Sequence, residues 1–508
     1  MTDQPERPHP PGDYPVVVVG SGPGGLQISY CLSRLGVNHA VISGDPAPGG
    51  MFRRWPFFQR LLSWTKPFAP VARESTAYER YDWNSLLGDE PTVRALQPDF
   101  MDGTSYFPSR PEMERNLIEF AERAGIQVRY SCRWTATRRE EDATGQRFVL
   151  ETTDGEYRAA VLIFAIGVGE PYTPPFPGAE LAAHYADTRA AETYAGRRVF
   201  ILGKQNSGFE LASGLLSWAS RIVLASPSPT KLSVNTRSLV GVRARYVQPY
   251  EDAVLGGGVS VLDAALAGVE RQPEGHGFTV RLRLTGIAGE LAFDADEVIA
   301  ATGFVAPLVD LPDLGVQTTG QSRIPVQTPF WESATVPGVY FAGTIGQGSG
   351  GLKKHGQPSN SGAVHGARYN ARVLARHLAA TRFGVAIPRP RIEPDRLVDF
   401  CLGELAGCPE LWHQKAYLAR VVTFDPASGI VDDGIWPLAH ILDASAADAI
   451  ILTVEADGSG AIYPVVYVRR GGRIEEHALE PDVLLDYERE PYRRQLASIL
   501  RGFGAATG

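Results

Sequence analysis

The chain has 508 residues, enough for two or three domains that each bury a core. Its 44% hydrophobic and 21% charged content is ordinary for a globular protein, and its net charge of −8 argues against nucleic acid or an anionic membrane as a partner. The longest apolar runs (16–19, 161–166) are too short to cross a bilayer. Residues 1–13 carry charge and four prolines where a signal peptide needs an apolar stretch, so they are expected to be a disordered lead and the protein cytoplasmic.

In chain order, 14–19 is a short apolar run that fits a buried parallel strand. A glycine-rich turn follows, then helical spacing from Pro23 to Leu35 and a stop at Gly36. A second strand at 37–43 completes a βαβ unit. A second copy runs through a strand at 198–202, a turn at 203–208, a helix from 209 to about 220 and a strand at 221–225. The proline-rich segment 170–177 between the copies cannot be helix or central sheet and predicts an interdomain crossing, with a return crossing near 304–311. A buried strand at 336–344, a glycine-rich loop at 346–351 and a helix at about 363–380 come next. Pro388, Pro390 and Pro394 mark a further boundary, after which 395–508 predicts a helix and a β-hairpin, 449–455 with 461–469.

Gly20-Ser21-Gly22-Pro23-Gly24-Gly25 fits G-x-G-x-x-G. Its first glycine permits the tight turn, its second lets backbone approach a pyrophosphate, and its third lets helix and strand pack. An acid usually ends the following strand and binds the ribose; here Ser43 stands there, with Asp45 close by. The second turn, Gly203-Lys204-Gln205-Asn206-Ser207-Gly208, has Gln205 at the middle glycine position, where its amide offers a donor to a phosphate. Its following strand ends in Ser226, which favours NADPH over NADH because an acid there would repel a 2′-phosphate. Lys231, Arg237, Arg243 and Arg245 are downstream candidates to pair with that phosphate.

Ala165-Ile166-Gly167 and Ala301-Thr302-Gly303-Phe304 resemble the A-T-G crossings between FAD and NADPH domains, and 336–344 (VPGVYFAGT, with Gly343 and Thr344) resembles the late FAD-domain strand. Residues 203–210 (GKQNSGFE, ending in Glu210) resemble G-x-G-N-S-G-x-D/E. Over about 14–385 the chain therefore resembles the flavin-containing monooxygenases of the two-dinucleotide type, which include N-hydroxylating and Baeyer–Villiger members. The resemblance implies an α/β fold of two Rossmann-like domains. FAD would occupy 14–170 and 305–385, NADPH the inserted 171–304, and 395–508 would form a small α+β module. Gly50, Met51, Phe52 and Trp55 are similar to the family's loop over FAD, and Lys66 falls where the family often places a P-K step near the isoalloxazine. The F-x-G-x-x-x-H fingerprint is degraded, because His184 follows Phe176-Pro177-Gly178 at a longer spacing.

The chemistry implied is NADPH reduction of FAD and capture of O2 as a flavin C4a-(hydro)peroxide, with oxygen passed to a small-molecule substrate. The four cysteines, Cys31, Cys132, Cys401 and Cys408, make no C-x-x-C pair and no zinc-like cluster, which argues against a disulfide reductase and a metal site. Lys353, Lys354 and His355 form a cationic cluster in the loop after the late strand, with Gln357, Ser359 and Asn360 adding hydrogen-bonding capacity. That composition suits a substrate carboxylate and points to N-oxygenation of an amine such as an amino acid. Lys66, Lys353, Lys354, His355 and Asn360 are the catalytic candidates. The alternatives are Baeyer–Villiger or sulfur oxygenation and NADPH-dependent electron transfer, and a homo-oligomer is left open.

Overall fold

The valine run predicted as a buried strand forms the middle of the first sheet. The computed structural model describes residues 7–54, 60–142, 145–236, 241–273, 275, 277–425, 427–443 and 447–503. The strand Gly12–Val19 pairs in parallel with His39–Ile42 on one side and Gly155–Phe164 on the other. Val16, Val17 and Val18 are wholly buried, as a strand covered on both faces requires. The C-terminal half of Gly155–Phe164 pairs in parallel with Val339–Phe341, and its N-terminal half carries an antiparallel meander of Gly145–Thr152 and Trp134–Asp142. Two helices, Pro23–Arg34 and Val364–Phe383, pack against each other beside this sheet.

The lead expected to be disordered over 1–13 is ordered from Arg7. The Tyr157 hydroxyl donates to the His9 carbonyl (2.8 Å), and Arg7 pairs with Asp154 (3.0 Å). These contacts lay the segment along the Gly155–Phe164 strand, so pairing starts at Gly12, two residues before the apolar run.

The second sheet has seven strands. Within it Arg198–Leu202 lies in parallel between Arg221–Ser226 and Glu297–Ala300. Its helix is Asn206–Leu215, which begins earlier and ends sooner than predicted. The chain leaves and re-enters the first unit through one antiparallel ribbon, where Glu170–Pro171 pairs with Phe304–Val305. Tyr172 N donates to the Gly303 carbonyl (3.2 Å) and Thr302 Oγ1 to the Tyr172 carbonyl (2.5 Å).

The C-terminal hairpin expected from sequence is the centre of a larger antiparallel sheet. Ala449–Ala456 and Ile462–Arg470 pair with each other and are flanked by Leu418–Asp425, Gly429–Pro437 and Arg473–Ala478. Leu397–Gly407 and Glu490–Ile499 are its helices. One hydrophobic cluster joins Val18, Leu26 and Leu374 of the first unit to Leu402, Leu452 and Leu496 of this one. The two therefore share a core across the proline boundary.

Candidate active site at two nucleotide turns

The first turn lines a cavity of about 240 Å³ with Ser21, Gly22, Pro23 and Gly24. A methyl on Gly24 would lie 2.5 Å from Gly343 Cα, so the helix start and the late strand touch backbone to backbone. A methyl on Gly22 would meet only Gly50 Cα, at 3.8 Å, which leaves that position open to the cavity. Gly22 also precedes the helix without any side-chain cap, leaving its first N–H groups free for an anion. Gly50, Met51, Phe52, Ala165, Gly167, Gly343 and Thr344 complete the wall from the positions predicted. A glycine cradle, an uncapped helix start and an acid at the far end match what the dinucleotide FAD needs.

That acid is Asp45, which lines the cavity and pairs with Arg54 (3.0 Å). Ser43, the residue expected at the ribose, is buried, accepts from Ser21 Oγ (2.8 Å) and receives the Asp45 N–H (3.2 Å). Its hydroxyl is spent in holding the turn. Trp55 and Arg237 lie outside the described residues.

A second cavity of about 530 Å³ lies between the two units. Phe52, Val168 and Thr344 reach it from the first unit, and Asn206, Ser207 and Glu210 from the second turn and its helix. Gly203 and Gly208 pack as the motif requires, since a methyl on Gly208 would fall 2.3 Å from the Gly203 carbonyl. Lys204, expected among the cofactor-binding residues of the second turn, is buried and ion-pairs with Asp263. Asp263 is the register partner of Ser226, so Lys204 neutralises the acid beside the end of that strand. Gln205 is exposed just before the helix, Lys231 is exposed, and Ser226 Oγ makes one long bond to the Ser228 carbonyl (3.4 Å). Asn206 bonds the Gly241 carbonyl and the Arg243 N–H (both 3.0 Å), which brings Arg243 to the cavity wall.

Thr302 and Gly303 hold the ribbon described above. His184 serves the same ribbon: one ring nitrogen bonds the Gly303 carbonyl and the other accepts from Ala186 N, each at 3.0 Å.

Glu210 is the one carboxylate in the wall of the interdomain cavity among the described residues. Burial raises its pKa to about 7, against the lowering effect of hydrogen bonds from Tyr246 (2.9 Å) and Tyr185 (3.0 Å). Tyr246 has a single proton and also lies 2.7 Å from the Arg60 carbonyl.

His365 is a functional candidate that the residue types alone did not single out. It sits in the first turn of Val364–Phe383, lines the interdomain cavity and is 2% exposed, yet neither ring nitrogen has a partner. Its ring stacks on Trp83 (4.2 Å between centroids). Burial, reinforced by the charges of Arg368, Lys415 and Arg243, holds it well below 6.5 and therefore neutral. The helix follows the late strand and the glycine-rich loop, so its first polar side chain was the available signal.

In the loop cluster predicted to meet a substrate carboxylate, Lys354 already has carboxylate partners. Lys354 pairs with the fully buried Glu455 (2.8 Å) and with Glu476, and His355 reaches Tyr463 (3.2 Å) and Glu455 (3.7 Å). Lys353 is exposed. Asn360 donates to the His413 carbonyl (2.5 Å) and its N–H goes to Gln414 (2.9 Å). Lys66 is exposed, its backbone bonding Tyr81 and Tyr78. None of these five lines either nucleotide cavity.

The family described as "Pyridine nucleotide-disulphide oxidoreductase" matches residues 17–343. The FAD-dependent oxidoreductase domain-containing protein 2 of Mus musculus is 27% identical over 443 residues, 82% of this chain and 64% of that protein, so the chain spans less than two thirds of this relative. The senecionine N-oxygenase of Tyria jacobaeae is 26% identical over 219 residues, 41% of this chain and 46% of that protein. Among solved structures, the bacillithiol disulfide reductase of Staphylococcus aureus superposes with a TM-score of 0.56 at 16% identity, covering 73% of this chain and 99% of that one. A flavin-containing monooxygenase from Stenotrophomonas maltophilia gives 0.51 at 23%, covering 72% and 98%. The chain belongs to the pyridine nucleotide-disulphide oxidoreductase family, built on the two-dinucleotide fold that uses FAD and NAD(P)H.

Proposed function

We propose that the protein is an FAD- and NADPH-dependent monooxygenase that N-oxygenates a small amine such as an amino acid. The observation that carries this reading is Glu210, a carboxyl titrating at about 7 in the cavity where the two nucleotide units meet. An ammonium nitrogen has no lone pair to accept oxygen, and Glu210 offers the base that removes its proton. Arg243, in the same wall, bonds the Leu62 carbonyl (3.4 Å) through its guanidinium, forms no ion pair among the described residues, and offers a cation to a substrate carboxylate. His365 adds one N–H and one lone pair facing the same space. Bound FAD supplies hydride acceptance and O2 activation; the residues of this chain deprotonate, orient and exclude water. The withdrawal of Asp263 by Lys204 favours the 2′-phosphate of NADPH. All four cysteines are buried and none lines either cavity, which favours oxygenation over dithiol chemistry.

Glu210→Gln tests this. The kcat/KM for the amine should fall about a hundredfold, and the rise of activity through pH 7 should disappear. An unchanged pH profile would remove Glu210 from the reaction.

A further inference from the structure

Two further cations without a paired carboxylate among the described residues lie beneath the C-terminal sheet. A cavity of about 500 Å³ there is walled by Trp64, Tyr81, Trp83 and Trp412, with Arg80 and Lys415. The Arg80 guanidinium lies 3.8 Å over the Trp412 ring, and its Nη1 donates to the Ala406 carbonyl (2.8 Å). Lys415 Nζ donates to the Trp412 carbonyl (2.5 Å). Neither forms an ion pair with a carboxylate among the described residues. The one acid in the wall among the described residues is Asp457, whose Oδ1 accepts from Ser459 N (2.8 Å) and Ala461 N (3.0 Å). Arg80 and Lys415 are both partly buried in the wall of one cavity, and two like charges there repel one another unless an anion joins them. The burial and the Arg80 charge together lower Lys415 to about 8, the signature of an ammonium without its counterion.

We propose that this chamber binds an aromatic carboxylate, its ring among the tryptophans and its carboxylate on Lys415 and Arg80. Aromatic faces give such a ligand its area, and charge-assisted bonds fix its orientation. The chamber is distinct from the interdomain cavity, but Trp83 walls both, and its ring stacks on His365. The same chemistry serves a substrate or an effector, and the inference does not depend on which reaction the flavin performs.

Calorimetric titration of the FAD-loaded full chain with 3-phenylpropionate and its neutral isostere 3-phenylpropionamide tests the site. The acid should bind at least about tenfold tighter than the amide, and Lys415→Met should abolish that preference while Lys415→Arg keeps it. Equal binding of acid and amide by the wild-type chain would overturn the proposal, as would an unchanged preference in Lys415→Met. The wild-type comparison stands even if a variant fails to fold. Product analysis after NADPH-driven turnover separates the sources: an oxygenated acid marks a substrate site, and an intact acid an effector site.

Discussion

Gly22 and Gly24 stand two residues apart in one turn and answer to different constraints. A methyl on Gly24 collides with Gly343 backbone, whereas one on Gly22 enters the FAD cradle without meeting protein. Gly24→Ala should therefore lower the melting temperature of the flavin-free chain, and Gly22→Ala should leave it in place while weakening FAD binding. Equal losses of stability in both would contradict the assignment of the cradle. Glu210 gives a second residue-scale prediction. Its pKa rises from 4.5 to about 7 on folding, so the folded chain holds an extra proton between those values. Its contribution to stability is therefore full at low pH and is lost as pH rises through about 7. Glu210→Gln should be relatively more stable against wild type at pH 8 than at pH 5 by chemical denaturation. Parallel stability curves would place the carboxyl in solvent instead.

At the scale of elements, the loop around Lys354 is a strut between the late strand and the C-terminal sheet. Glu455 is wholly buried, and Lys354 is the cation beside it at 2.8 Å. Lys354→Met should destabilise the chain by roughly 3 kcal/mol, because it strands a buried carboxylate. Adding Glu455→Gln should restore most of that loss in denaturant titrations; additive losses would show that the pair is not coupled. This is also where sequence was least informative. Strand–turn–helix units announce themselves through local periods, so both nucleotide turns and the helix after the late strand were legible. The partners of Lys354 arrive from strands a hundred residues away, and no local pattern carries that pairing. Ser43 and Lys204 were hard to place for a related reason: their side chains are held by Ser21, the Asp45 N–H and Asp263, and no local pattern announces those partners. The flanking strands of the C-terminal sheet and its last helix went unseen, although Tyr492 and Leu496 do repeat at helical spacing on the buried face.

Across the whole molecule, two nucleotide-binding sheets joined by a single ribbon bring Thr344 and Asn206 to one cavity, while the C-terminal sheet extends the first unit's core. No helix among the described residues is long and apolar enough to cross a membrane. Nothing in this arrangement places a thiol at the flavin. Burial raises the thiol pKa of Cys31 to about 11 and pushes Cys401 and Cys408 up as well. Iodoacetamide treatment of the folded enzyme should leave NADPH consumption unchanged, and inactivation protected by FAD would point to a thiol relay instead. The most direct test of oxygenation is turnover under 18O2 with NADPH and an amine substrate, followed by mass spectrometry of the product. The account predicts one 18O atom on nitrogen for each NADPH productively consumed; NADPH oxidation coupled to an electron acceptor, with no label in any product, would contradict it.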